Sequence, residues 1–199
     1  MKKSVILGCG LLLLGIGVVA ALVFGGLYNR LVGLQEAVDS AWAQVENVYQ
    51  RRADLIPNLV ATVRGARDFE RETLEAVVQA RSRVGQVQLQ GTPTAQELEA
   101  FQAAQGELSS ALSRLLVVVE DYPELRATEA FRDLQAQLEG SENRIAVERR
   151  RFNEAARAYN TSRRRFPANL VAGILGFDEK PYFEAAPGAE TPPAVDFSG

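Results

Sequence analysis

From Val5 to Leu27 the chain carries no charged residue, and no turn signal separates this run from the amphipathic repeat that follows. As a helix the run rises roughly 34 Å, enough to cross the hydrocarbon core of a bilayer with some tilt. The chain is thereby divided into a span and a body that must fold outside it. Two other readings fit less well. A cleaved signal peptide needs a small-residue cleavage site, for which Val18-Val19-Ala20 is a poor match, and the apolar run continues through Phe24. Ile6-Leu7-Gly8-Cys9 loosely resembles a lipoprotein processing site, but too little apolar sequence separates it from Lys3. Lys2 and Lys3 flank one end of the span, while a single Arg30 followed by Glu36 and Asp39 flanks the other. This bias places residues 1–4 in the cytoplasm, 5–27 in the cell membrane and the body outside the cytoplasm. Gly17, Ala21 and Gly25 recur on one helix face at the spacing that lets two membrane helices approach closely. A homo-oligomer seam and the ordinary abundance of small residues in such helices both account for them.

In the body, Leu27, Leu31, Leu34, Val38, Ala41, Val45 and Val48 recur at steps of 4 and 3, the period of a helical bundle seam. Trp42 sits beside this stripe as a core anchor. Arg51-Arg52-Ala53-Asp54 reads as a turn, with basic residues closing the first helix and Asp54 capping a second. Pro57 then falls in the first turn of that second helix, where its missing N–H costs nothing. A single helix kinked at Pro57 is the alternative. The stripe continues through Leu55, Leu59, Val63, Ala66, Phe69, Thr73, Val77, Ala80 and Val84, until Gly85 and the polar run that follows.

Thr94 with Glu97 forms a capping box for a third helix, whose stripe is Leu98, Phe101, Gln105, Leu108, Leu112, Leu115 and Val119. Pro123 suits the first position of a fourth helix, with Phe131, Leu134, Leu138, Ser141, Ile145, Glu148, Phe152, Ala155 and Tyr159 facing inward. Arg163 to Arg165 and Pro167 close it. Four long amphipathic helices without strand-like alternation predict an all-α fold, an antiparallel up-and-down four-helix bundle over residues 28–177 behind one transmembrane helix.

Helix lengths then place the Arg51, Arg52, Asp54 and Asn58 turn at the end far from the membrane, as a candidate partner-binding tip; capping and dipole effects alone are the competing account. The fourth helix returns Arg163, Arg164, Arg165, Phe166, Leu170, Ile174 and Phe177 to the membrane surface. Three arginines before an uncharged apolar dozen suit an interfacial segment, and equally suit a cap on the bottom of the core. Residues 178–199, rich in Pro, Ala and acids, read as a flexible tail.

These residues resemble the LemA family of membrane-anchored proteins. The resemblance is sharpest at Arg51-Arg52-Ala53-Asp54-Leu55-Ile56-Pro57-Asn58-Leu59-Val60. It extends to Tyr28-Asn29-Arg30, Tyr159-Asn160, Phe166-Pro167-Ala168-Asn169-Leu170 and Lys180-Pro181-Tyr182-Phe183. It implies a four-helix bundle behind one membrane helix and, the family being one of unknown function, no catalytic residues.

The residues themselves carry little that suggests chemistry. There is no His in the chain, and the single Cys9 lies in the span. A Glu-x-x-His di-iron site, a cysteine nucleophile in the body and a Cys-rich zinc site are therefore out of reach. Phosphate-binding and nucleophile-elbow motifs are missing too. Glu72 and Glu75 share a helix face, as solvated acids commonly do. Catalytic, cofactor and metal sites are expected to be none. With 22 Lys and Arg against 25 Asp and Glu, a general nucleic-acid binder is not expected either. Gln105 and Glu148 occupy inward positions of neighbouring helices, which predicts either a mutual contact completed by an arginine or a rotated stripe exposing both. The function expected is a non-enzymatic scaffold or interaction module at the cell envelope, with the bilayer and an envelope protein as partners. The alternative is a ligand-sensing bundle acting through a separate membrane partner.

Overall fold

A computed structural model describes residues 2–66, 69–87, 89 and 91–184, with side chains placed from residue 10 onward. Among these residues the regular structure is helical: α1 (Lys2–Arg64), α2 (Arg71–Gln86), α3 (Ala95–Val119), α4 (Pro123–Arg126), α5 (Glu129–Arg164) and α6 (Ala168–Leu175). From Gly10 onward α1 holds a stretch long and apolar enough to cross a membrane, and none of that stretch is buried against the body. Beyond it the same helix enters the core without interruption.

The turn expected at Arg51–Asp54 does not form; the single helix through Pro57 does. The reason is legible in the pattern of burial. Leu31, Val38, Val45, Arg52 and Leu59 are buried at every seventh position, and Trp42, Tyr49, Ile56 and Val63 form a second such row between them. These rows give one seam of 4 and 3 steps that runs straight through residues 51–54. Asp54 is exposed and accepts a hydrogen bond from Gln50 Nε2 at 2.9 Å, within one turn of the same helix. Pro57 has no N–H, so the carbonyl of Ala53 loses its helical donor. Arg81 Nε of α2 supplies the replacement, 3.1 Å away.

Instead, α1 ends at Arg64 and α2 begins at Arg71. The predicted stripe from Leu55 to Val84 survives, but α1 holds its first part and α2 its second. The Thr94–Glu97 capping box is present: Thr94 N donates to Glu97 Oε2 at 2.8 Å and Glu97 N donates to Thr94 Oγ1 at 3.3 Å. The Thr94 N–H, together with the Thr94 hydroxyl, which also donates to Glu97 Oε2 at 2.8 Å, stabilises the charged carboxylate and holds the Glu97 pKa below its usual value. Every expected inward residue of α3 is buried. Pro123 opens only the four-residue α4, and the long helix starts after Thr128, whose Oγ1 accepts from Phe131 N at 3.4 Å.

Three apolar clusters follow one another along α1. The first lies farthest from the span and joins Ile56, Leu59 and Val63 to α2, the second half of α3, α4 and the start of α5. The second joins Val38, Trp42, Val45 and Tyr49 to Leu98 and Phe101 of α3 and to Ile145, Phe152, Ala156 and Tyr159 of α5. The third sits beside the apolar run and packs Leu31 against Val171 and Ala172 of α6.

Residues 178–184 correct the expectation of a flexible tail from Asp178. They lie extended against α5, and Phe183 is buried within the second cluster. Gly176 caps α6 at φ 70°, a left-handed conformation that suits glycine and redirects the chain into this strap. The rest of the predicted tail, 185–199, lies outside the described residues.

Candidate functional site

Between the first two apolar clusters lies a polar layer. Arg52 of α1 is 1% exposed, and it stands where the seam calls for an apolar side chain. Its Nη1 donates to Ser109 Oγ of α3 at 2.9 Å and to the Glu142 carboxylate of α5, and its Nη2 donates to Gln105 Oε1 of α3. Beside the layer, buried Ser141 donates to Leu138 O at 2.7 Å. The guanidinium also lies over the Tyr49 ring, 5.2 Å from its centroid, a favourable position for a cation. Desolvation by burial raises the Tyr49 pKa above its usual value, although Arg149 and Arg52 pull the other way. A buried charge is tolerated only when paired and hydrogen-bonded. Arg52 has both kinds of partner, with Nε alone lacking an acceptor among the described residues.

This layer reassigns several expected roles. Gln105 is buried, which rules out the rotated stripe at this position, but its partner is Arg52 rather than Glu148. Glu148 accepts from Arg151 Nη1 on its own helix at 2.8 Å. Of the four tip residues, Arg52 points into the core while Arg51, Asp54 and Asn58 are exposed along α1. They form a row on the flank of a continuous helix, not a tip. The end of α1 is instead met by Tyr122 to Leu125, where Thr62, Gly65 and Ala66 help enclose a cleft of about 740 Å³.

A second cleft, of about 470 Å³, opens beside the polar layer, where Glu46, Tyr49, Arg81, Phe101 and Gln105 meet. On α5, two asparagines seven residues apart grip the strap. Asn160 Nδ2 donates to Lys180 O at 2.8 Å while its Oδ1 accepts from Lys180 N at 3.0 Å. Asn153 treats Phe183 in the same way, at 2.9 and 2.8 Å. Arg149 donates to Glu184 O at 3.0 Å and covers the Phe183 ring. That ring stacks on Trp42 and meets Phe152 edge-on. The asparagines' role was not foreseen, because a polar residue at helical spacing does not announce what backbone it will hold.

The expected membrane-proximal residues divide between two tasks. Phe177 packs against Leu31 and meets the Tyr28 ring edge-on, so it closes the core. Arg163 is half-buried and donates from Nε to Phe177 O. Arg164, Arg165, Phe166, Leu170 and Ile174 are exposed. In the apolar run, a Cβ added at Gly17 or Gly25 would meet nothing within 4 Å, so the small-residue face is open in the single chain.

The LemA family model matches residues 41–197, which includes the Arg52 layer and the strap. Magnetosome protein MamQ of Magnetospirillum gryphiswaldense is 30% identical over 185 residues, covering 83% of this chain and 67% of that protein. Magnetosome protein MamQ 1 of Paramagnetospirillum magneticum is 29% identical over 184 residues, with the same shares. Protein LemA of Metamycoplasma hominis is 24% identical over 164 residues, covering 82% of this chain and 72% of that protein. On the extent of the family match, the chain belongs to the LemA family.

Proposed function

We propose that this chain is a single-pass membrane protein whose extracytoplasmic body, an antiparallel up-and-down four-helix bundle, serves as a non-enzymatic scaffold or interaction module. The observation that carries the reading is the continuity of α1, one helix from the apolar run to Arg64. A body built on the extension of its own anchor is held at a fixed height and orientation, which suits a platform for other envelope proteins. The bundle reading rests on α1, α2, α3 and α5 contributing to one apolar cluster. Lys2 and Lys3 support a cytoplasmic N-terminus. The exposed row of Arg51, Asp54 and Asn58 is the partner-docking face in this reading, and the open Gly17, Ala21 and Gly25 stripe is the contact with a second copy.

A ligand-sensing domain is the second reading, favoured by the cleft that Arg81, Glu46 and Gln105 line beside the buried Arg52. A photocrosslinking residue at Asn58, activated in intact membranes, separates the two. A discrete adduct that disappears in Arg51→Glu, with helicity unchanged, is the scaffold outcome. If residue 58 gives no adduct in membranes that hold the folded protein, the docking face is wrong and the sensor reading takes precedence.

A further inference from the structure

The base of the body carries two features that neither the core nor the strap explains. The first is apolar. On α6, Ala168, Val171 and Ala172 face the core, whereas Leu170 is 55% exposed and Ile174 74%, with Phe166 just before the helix at 80%. Leu170 and Ile174, four residues apart, share one face of α6. The second is basic. Arg30 of α1, Arg157 of α5 and Arg165 after it line a cleft of about 390 Å³, together with Glu154, Ala158, Thr161 and Ser162. All three arginines are exposed, and Glu154 is already shared with Arg150 at 4.0 Å.

Both features stand at the height where the span ends. Arg30 lies roughly 4.5 Å beyond Leu27 along the helix, and Leu31, which α6 packs against, roughly 6 Å. That is the depth of a bilayer's headgroup and upper acyl region, into which an interfacial helix sinks its apolar face by roughly 5–10 Å. Exposed Phe24 and Tyr28 continue the apolar surface from the span toward α6, and aromatic side chains favour that boundary. Basic clefts beside membrane helices recruit anionic headgroups.

We propose that the base of the body is an anionic-phospholipid seat, resting on the single-pass reading above. The Leu170 and Ile174 face of α6 and the exposed Phe166 ring before it enter the acyl boundary, and Arg30, Arg157 and Arg165 hold the headgroup phosphate of an adjacent lipid. An arginine fork pairs with phosphate oxygens through two parallel hydrogen bonds, which favours this ligand over a simple cation-attracted counterion. The seat gives the protein a second grip on the membrane and restrains rotation of the body about α1.

The test uses the full chain with Cys9→Ser, reconstituted in vesicles of phosphatidylcholine alone or with phosphatidylglycerol. A nitroxide is attached at Ile174→Cys or, as a water-exposed reference far from the span, at Val117→Cys. Immersion is read from the competition between oxygen, which partitions into lipid, and a water-soluble nickel chelate. The label at residue 174 is expected to relax more with oxygen than with nickel, the reverse of residue 117. Phosphatidylglycerol should deepen it, and charge reversal of Arg30, Arg157 and Arg165 together should abolish the deepening. A label at 174 as open to nickel as that at 117 overturns the proposal. A label shielded from both reagents places this face against protein and overturns it equally. Deepening that persists after charge reversal overturns the headgroup cleft. Resistance to alkaline extraction is measured on the same samples: loss from the membrane at that step removes the single-pass reading itself, whereas retention with a nickel-exposed residue 174 removes only the seat.

Discussion

Arg81 Nε of α2 donates to the backbone oxygen of Ala53, 3.1 Å away, the carbonyl that Pro57 deprives of its helical partner. The proline that would break α1 thereby becomes the place where α2 is fastened to it. Pro57→Ala restores the missing N–H and makes Arg81 redundant at this carbonyl. Arg81→Ala in the native background leaves Ala53 O dependent on water and should cost about 1 kcal/mol. In the Pro57→Ala background the same change should cost near nothing. Thermal melts of the four proteins in one detergent give the coupling. Equal losses in both backgrounds would show that Arg81 acts elsewhere.

The Arg52 layer predicts an asymmetry. Gln105→Leu or Glu142→Ala leaves a buried guanidinium short of an acceptor, and Gln105→Leu also places an apolar group against it. Removing one partner of a buried charge costs about 3 kcal/mol or more, and the half-exposed Glu142 should fall well below that figure because solvent screens it. Replacing the layer together, as Arg52→Met with Gln105→Leu, should recover most of the loss or exceed native stability. A melting series decides the matter. If the double variant is no more stable than Gln105→Leu, the layer contributes stability and is more than a device that fixes helix register.

Much of this architecture was legible in the residues. The α3 stripe from Leu98 to Val119 and its Thr94 cap were read correctly, because strong periodicity and a capping box agree with one another. The end of α1 is not legible in the same way, because local signals compete there. Asp54 and Pro57 both look like a helix start, and two of the expected seam positions, Ala41 and Val48, lie one residue from the buried row of Trp42 and Tyr49. Shifting to Trp42 and Tyr49 carries the seam through Arg52 to Val63, but only by admitting an arginine into the core. That step is physically licensed by Gln105, Ser109 and Glu142, which arrive from 53, 57 and 90 residues away. The strap is hidden from the sequence for a related reason. Lys180 to Phe183 has no period of its own, and its hydrogen bonds come from α5.

The asparagine grip on the strap is testable by exchange. The amides of Lys180 and Phe183 donate to Asn160 and Asn153, so both should be protected from solvent hydrogen exchange. Asn160→Ala should release Lys180 while Phe183 stays protected through Asn153 and its aromatic pocket. Phe183→Ala removes a buried ring from Trp42 and Phe152 and should cost about 3 kcal/mol. Residue-resolved exchange on the full chain reads all three. Unchanged protection at residue 180 in Asn160→Ala would mean that the strap is held by packing rather than by the asparagine.

Tyr159 gives the pH dependence its sign. Its side chain is buried and its hydroxyl meets no partner among the described residues. Desolvation raises its pKa above the usual value of 10.0, against a smaller lowering by Arg163. Tyr49 shifts the same way. A neutral phenol favoured by the fold means that the folded state binds protons more tightly than the unfolded one. Its contribution is complete below pH 10 and is lost as pH rises through the elevated folded value. Stability should therefore fall on the alkaline side of pH 10, with phenolate absorbance from these two residues appearing above the usual tyrosine range. Tyr159→Phe removes the ionisation and keeps the ring, so its melting temperature should decline less between pH 9 and pH 11 than that of the native chain. Parallel decline of the two proteins over that range would assign the alkaline loss to other groups.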